Sequence, residues 1–538
     1  MLLTGLALDW AITFAASCGF LLFGYDQGVM SGLLTGYAFT KQFPEIDTTS
    51  ADSNGSSSLQ GTVVAIYEIG CFFGAIIAFV FGERLGRRWT IIWGCIILTI
   101  GAAIQTSAYG IAQLIAGRIV AGLGNGMNTA TIRKVIRQHI CEPADMSLAV
   151  WHSELMKPAD RGRGLSVELA ITVFGVMLSY WTDYGMSYVK NEAQFRFPIA
   201  FQIVFAVVAA IAVFALPESP RWLVAHNRAD EARTVLWRLQ KHAHETTENH
   251  IIISAELQEI EHALNEERAA AGGTTFLAMF KSSPQRFRRR TLLGVGGQFM
   301  QQLSGINLIT YYAPVIFEVS VGMSHKTAML LAGFNGIAYF LSSLIPIWCL
   351  DRLGRRKLML FACSGQAICM AVLAGTVSAG GKACGIVAIV MLFAFNFFFA
   401  IGLLAIPWLL PAEYAPLAIR TKSAALATAS NWIFTFLVVE ITPISIDSIQ
   451  WRTYIYFAIF NLAFLPLIWF FYPETQNLSL EQVDKLFTGE KVVLKWKSSM
   501  GERQGSFAMD VKDLGSSTQN RSEKQMRVSM EAGTHHME

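Results

Sequence analysis

Gly82-Glu83-Arg84-Leu85-Gly86-Arg87-Arg88 and Leu350-Asp351-Arg352-Leu353-Gly354-Arg355-Arg356 are the two stretches that decide the fold. Each closes one long apolar run and opens the next, and each heads a series that then repeats. Glu154 and Arg161 stand seven residues apart downstream of the first loop; Glu413 and Arg420 stand seven apart downstream of the second. Pro217-Glu218-Ser219 ends the first series and Pro473-Glu474-Thr475 ends the second. One basic loop marks only topology. Three paired motifs in register mark a duplicated half, and transporters built from such repeats hold substrate near the bilayer midplane between them.

Outward from these loops, apolar stretches long enough to cross a bilayer as helix, about 20 residues, are predicted near 10–33, 60–82, 89–108, 110–132, 164–183 and 197–216. A second set lies near 291–318, 327–349, 357–378, 384–410, 423–442 and 451–472. The chain of 538 residues is 53% hydrophobic and only 15% charged, too few charges to coat a water-facing surface, where roughly a quarter is usual. An all-α membrane protein follows, with a six-helix half over 1–220, polar linker helices over 221–290, a second six-helix half over 291–475 and a largely disordered tail over 476–538. Leu257, Ile260 and Leu264 recur at helical spacing in the linker, as in an amphipathic helix.

Basic loops stay on the cytosolic side, so both termini are expected inside and the loop at 34–58, which holds only Lys41, outside. Asn54 of Asn54-Gly55-Ser56 is then an accessible glycosylation acceptor, whereas Asn477 and Asn520 stay bare. A net charge of +3, with Lys and Arg confined to loops beside spans, argues against nucleic acid. The eight cysteines show no metal-ligand spacing; no metal or cofactor is expected. The run after Asp9 is too long for a cleavable leader. Gly122-Leu123-Gly124-Asn125-Gly126 superficially suggests a nucleotide loop, but it lies inside a span, where small residues let helices approach. No enzyme is expected.

Asp26 is the sharpest single residue, because an ionisable side chain inside a span is expensive and a functional candidate. Burial raises a carboxyl pKa and a nearby cation lowers it, so a movable pair binds and releases a proton; a static ion pair between helices is the competing reading. Gln301, Gln302 and Asn307 interrupt the seventh span, followed by Tyr311-Tyr312. Amides both donate and accept, as sugar hydroxyls require, although amides also serve as glue between helices. In one straight helix these three would point more than about 90° apart; a break near Gly305 would gather them. At the basic loops, Glu83, Asp351, Glu154, Glu413, Glu218 and Glu474 facing Arg84, Arg87, Arg88, Arg161, Arg352, Arg355, Arg356 and Arg420 suit a latch across the cytosolic side. Plain topological anchoring by the arginines is the alternative.

Together Gly24-Tyr25-Asp26, both Gly-Arg-Arg loops, Gly117-Arg118, Pro217-Glu218-Ser219-Pro220-Arg221, Gln301-Gln302-Leu303-Ser304-Gly305-Ile306-Asn307, Pro407-Trp408, Asn431-Trp432 and Pro473-Glu474-Thr475 resemble the sugar porter family of the major facilitator superfamily, particularly fungal hexose transporters. The resemblance runs from about 10 to 485 and implies a twelve-helix major facilitator fold in the plasma membrane. It also implies monomeric alternating access carrying a hexose with a proton. It assigns Phe399 and Trp408 to aromatic walls, Asn431 to an amide ligand and Arg118 to the partnership with Asp26. Two positions depart from the family. Its fifth-span Gln is Glu168 or, counting from Arg161, Leu169; its eighth-span Asn is replaced by Tyr339, with Asn335 one turn earlier. The alternatives are a membrane sugar sensor of the same fold, against which the short tail argues, and an uncoupled facilitator, against which Asp26 and Arg118 argue.

Residues 133–149 do not fit the pattern. Arg133-Lys134-Val135-Ile136-Arg137 follows the fourth span where a proline is expected, and charges in hydrocarbon cost on the order of 2.5–3.5 kcal/mol each. Either the span ends early and the segment bulges into the cytosol, or the chain is damaged, or an in-frame intron is retained. Arg133-Lys134-Val135 admits a splice-donor pattern and Leu148-Ala149 an acceptor, and excision restores a proline codon before Val150. Sequencing the mature transcript decides: the intron reading requires codons 133–149 to be absent from it, and their presence removes that reading.

Overall fold

The computed structural model describes residues 4–48, 55–138, 161–239, 247–271, 276–476, 478 and 480–488. Asn54, Glu154, residues 139–149 and the tail beyond 488 lie outside the described residues, as do the side chains of Glu83 and Arg161. Helix occupies each apolar stretch named above. The first six are Leu6–Leu33, Ser57–Leu85, Arg87–Thr106, Ile111–Gln138, Arg161–Met186 and Ala193–Ala215. The seventh is split into Phe287–Leu303 and Ile306–Val315, the eighth into His325–Ser343 and Pro346–Leu353, and the tenth into Lys382–Gly402 and Ile406–Tyr414. Arg355–Ala379, Arg420–Ile449 and Arg452–Phe471 are the ninth, eleventh and twelfth. Among the described residues, 8 helices are long and apolar enough to cross a membrane, or 9 with the bent eighth stretch.

The first stretch packs on the fifth and sixth, and the second on the fourth. Between halves, the second meets the eleventh, the fifth meets the eighth and the first meets the seventh. The first and fifth helices approach until almost nothing separates them. A Cβ on Gly24 would lie 1.8 Å from the Thr172 carbonyl oxygen, and one on Gly28 would lie 2.0 Å from Ser179 Oγ. Gly122, Gly124 and Gly126 likewise press on backbone atoms of the second and third stretches. That segment is a packing surface, as its place within a span implies.

The two basic loops are built alike. Gly86 (φ 87°) and Gly354 (φ 89°) end one helix and start the next, a left-handed conformation that glycine adopts without strain. The Glu218 carboxylate accepts from the backbone N–H groups of Arg87 (3.0 Å) and Arg88 (3.1 Å). Glu474 accepts from those of Arg355 (2.8 Å) and Arg356 (3.1 Å). A carboxylate thus caps the positive end of a helix at equivalent places in both halves.

Linker helices Pro220–Ala225, Ala229–Leu239 and Thr247–Ala271 pack through Leu223, Val235 and Leu264, with Leu257 and Ile260 on the same cluster. The segment expected to open a disordered tail instead starts with a docked helix, Leu480–Thr488. Its Val483 and Phe487 are buried, and Asp484 pairs with Arg290. The apolar pair one helical turn apart supplies the reason: it covers surface that water would otherwise meet.

Overpacking costs roughly 1–3 kcal/mol. Gly24→Ala is expected to lower the melting temperature of the detergent-purified protein more than Gly28→Ala. The first methyl meets a fixed carbonyl and the second a serine hydroxyl that can turn away.

Candidate functional site: amides and acids between two halves

The seventh stretch breaks where expected. Gly305 takes φ 99°, and a Cβ there would lie 2.9 Å from the Phe457 ring, so only glycine fits. The Ser304 carbonyl at the break accepts from Asn461 Nδ2 at 2.8 Å. The turn brings Gln302 and Asn307, about 140° apart on a straight helix, into contact. Asn307 Nδ2 donates to Gln302 Oε1 (2.5 Å), and Gln302 Nε2 donates to Asn431 Oδ1 (2.5 Å). The result is a buried chain of three amides.

Gln301 is not part of that chain. Its Nε2 donates to the carbonyls of Leu403 (2.7 Å) and Leu404 (3.1 Å) at the break in the tenth stretch, because Pro407 has no N–H to offer Leu403. Its Oε1 has no hydrogen-bond partner. Phe399 is buried against Tyr339, with ring centroids 6.2 Å apart. Asn335 accepts from Asn396 at 3.2 Å, so the eighth stretch joins the tenth there. Trp408 is half-buried beside the core; Glu168 and Leu169 are both buried on the fifth stretch.

Asp26 and Arg118 come together without a direct ion pair. Asp26 Oδ2 accepts from Tyr67 Oη at 2.9 Å, and Arg118 sits over the Tyr67 ring, 5.1 Å from its centroid. Arg118 Nη2 donates to the Val64 carbonyl at 2.8 Å. Tyr67 therefore stands between acid and base, a role the motif reading missed. Glu68, the next residue, is fully buried and accepts from Tyr311 Oη of the opposite half. Asp183 is buried with neither carboxylate oxygen hydrogen-bonded; it lines a small cavity with Ser187, Gln194 and His325. The rule that singles out Asp26 on sequence, an ionisable group within a span, applies equally to Glu68 and Asp183.

Among the described residues, acids and arginines expected at the cytosolic latch meet within each half. Besides the capping bonds, Arg355 pairs with Glu413 (3.1 Å) and Asp351 (3.2 Å), and Thr475 Oγ1 donates to Glu413 Oε2 at 2.5 Å. Arg88 Nη2 reaches the Phe214 carbonyl at 2.5 Å, and Arg420 Nε the Ala415 carbonyl at 3.1 Å. Arg84 and Arg352 are exposed. These contacts tie neighbouring helices of one half together. At the opposite end the halves do meet, through Ser57 and Asp447 (3.1 Å) and Thr62 and Glu440 (2.7 Å).

Two repeated bundles of apolar helices, with amides and acids buried where they face each other, define a multi-pass membrane transporter rather than an enzyme. A family model described as "Sugar (and other) transporter" matches residues 11–487, and the chain belongs to that family, the sugar porters of the major facilitator superfamily. It is 39% identical over 501 residues to the MFS-type transporter oryC of Aspergillus oryzae, covering 92% of this chain and 88% of that one. It is 35% identical over 489 residues to the sugar transporter STL1 of Saccharomyces cerevisiae, covering 90% and 82%. The xylose transporter XylE from E. coli, in a partially occluded inward-open conformation, shares the fold with a TM-score of 0.69 at 22% identity, over 88% of this chain and 99% of that one. XylE bound to 6-bromo-6-deoxy-D-glucose gives 0.70 at 24% identity, over 89% and 99%.

Gln302 is the centre of the amide chain, so Gln302→Ala strands buried groups on both neighbours, at roughly 1–3 kcal/mol. The expected result is an increase of about five- to a hundredfold in KM for uptake, measured with transporter abundance normalised by immunoblot.

Proposed function

We propose that this protein carries a hexose across the plasma membrane together with a proton, as a monomer working by alternating access with both termini in the cytosol. The observation that carries the reading is the buried Asp26–Tyr67–Arg118 group beside a chain of amides at the junction of the halves. The amides supply the mixed donors and acceptors that hydroxyls need, and Phe399 and Trp408 supply apolar faces for a sugar ring. Asp26 Oδ1 is buried and has no partner, leaving it able to take a proton. The low-affinity glucose transporter of Kluyveromyces lactis, 31% identical over 500 residues, and XylE, described as a proton:xylose symporter, support sugar and proton respectively.

A second polyhydroxylated substrate class is favoured by one finding: the quinate permease of Neurospora terricola is 30% identical over 537 residues. Quinate carries a carboxylate, and the three amides of the chain supply no cation to meet one, so the neutral sugar is the better fit.

In proteoliposomes, Asp26→Asn is expected to abolish accumulation against a gradient and the dependence on imposed pH, while downhill exchange persists. Continued accumulation by the variant removes Asp26 as the coupling site. Uptake by the parent protein that ignores a proton gradient marks an uncoupled facilitator, and binding without uptake marks a sensor.

A further inference from the structure

Glu68 and Asp26 share one guanidinium. Glu68 lies beside Tyr67, the donor to Asp26, and four residues after Val64, whose carbonyl holds Arg118. Both carboxyls are buried, and each has one oxygen without a hydrogen-bond partner. Two carboxylates against one cation leave an unbalanced negative charge, which is costly in a buried site. The group is electrically neutral when it holds a single proton.

The other groups around Glu68 do not balance it. The fourth stretch contributes Arg118, the first Asp26, its own helix Tyr67 and Cys71, and the seventh Tyr311 and Tyr312. Glu440 of the eleventh stretch is bonded to Thr62, six residues or about 9 Å along the second stretch. Arg87 of the third stretch bonds the Gly82 carbonyl at the basic end.

We propose that Glu68 transmits the protonation state of Asp26 to the sugar-binding helix through Tyr311, a role that rests on the proton coupling proposed above. Tyr311 is on the same short helix as Asn307, just past the Gly305 break, and its hydroxyl donates to Glu68 across the junction of the halves. With the proton on Asp26, Glu68 is ionised and the Tyr311 bond is charge-assisted, the stronger kind. When that single proton passes from Asp26 to Glu68, the group stays neutral and Asp26 becomes the ionised carboxylate beside Arg118. The carboxylic acid is a weaker acceptor, and Tyr311 with its helix is released. The two sites then titrate as a pair, and Glu68 acts as a positioning residue rather than a sugar ligand.

The test uses full-length protein in liposomes, with Glu68→Gln and Tyr311→Phe each made alone. Gln keeps the size and an acceptor oxygen but cannot ionise; Phe keeps the ring but cannot donate. Sugar affinity is measured by tracer binding from pH 5 to 8, and proton uptake by an internal pH dye on adding sugar. In both variants, a pH dependence of affinity at least fivefold in the parent is expected to fall below twofold. Sugar-driven proton uptake should drop at least fivefold while downhill exchange persists. Parental coupling in either variant overturns the proposal while leaving Asp26 as a coupling site. Loss of downhill exchange along with coupling makes the two residues structural and also overturns it. A parent protein that takes up no proton with sugar brings down the symport reading, and this one with it.

Discussion

Inside a bilayer a backbone carbonyl that loses its helical partner finds no water, and much of this structure follows from that constraint. Each proline inside a helix frees the carbonyl four residues earlier. Pro407 frees Leu403, met by Gln301 at 2.7 Å; Pro411 frees Pro407, met by Gln298 at 2.9 Å. Pro314 frees Thr310, met by Tyr180 at 2.5 Å; Pro443 frees Val439, met by Tyr312 at 3.0 Å. In these four cases the donor belongs to a different helix. Two of these bonds, Tyr180 to Thr310 across the halves and Tyr312 to Val439 within the second, lie close to the amide chain. These proline positions are therefore points that hold neighbouring helices in register.

The two ends of the molecule show what duplication preserved. Glu218 and Glu474 cap the third and ninth stretches with nearly the same distances, and a Cβ on Gly86 or Gly354 would come equally close to its carboxylate, 2.5 Å. The centre is asymmetric. The first half contributes acids and a guanidinium; the second contributes amides, aromatic rings and the broken seventh and tenth helices. A symmetric frame around an asymmetric middle suits a carrier whose two halves rock about one site.

The acid group and the amide chain are linked by very few atoms. Tyr67 joins Asp26 to the ring face under Arg118, Glu68 joins the same helix to Tyr311, and the short helix of Tyr311 carries Asn307 to Gln302. Every link is buried, so each hydrogen bond made or lost counts more than it would in water. The proposed coupling between proton and sugar needs no longer route than this.

Legibility in the sequence divides along the same line. The hydrophobic spans, the duplicated halves, the helix break at Gly305 and the placing of an acid, Asp26, within a span are local properties, set by composition, spacing, backbone freedom and the cost of charge in hydrocarbon. They could be read residue by residue, and so, by the same rule, could Glu68 and Asp183. Where a side chain aims could not. Gln301 and Gln302 are adjacent, yet one satisfies a carbonyl freed by Pro407 and the other joins Asn431, because each meets a different helix. Arg118 and Asp26 were paired through the family resemblance, but Tyr67 stands between them. Glu218 and Glu474 were read as facing arginine side chains, and the structure sets each against the backbone N–H groups at a helix start. Sequence by itself determined that this chain spans a membrane in two related halves with polar groups in its spans. Only the tertiary structure decided which of those groups meet, since in a dry interior each must bond to whatever neighbouring helix brings within reach.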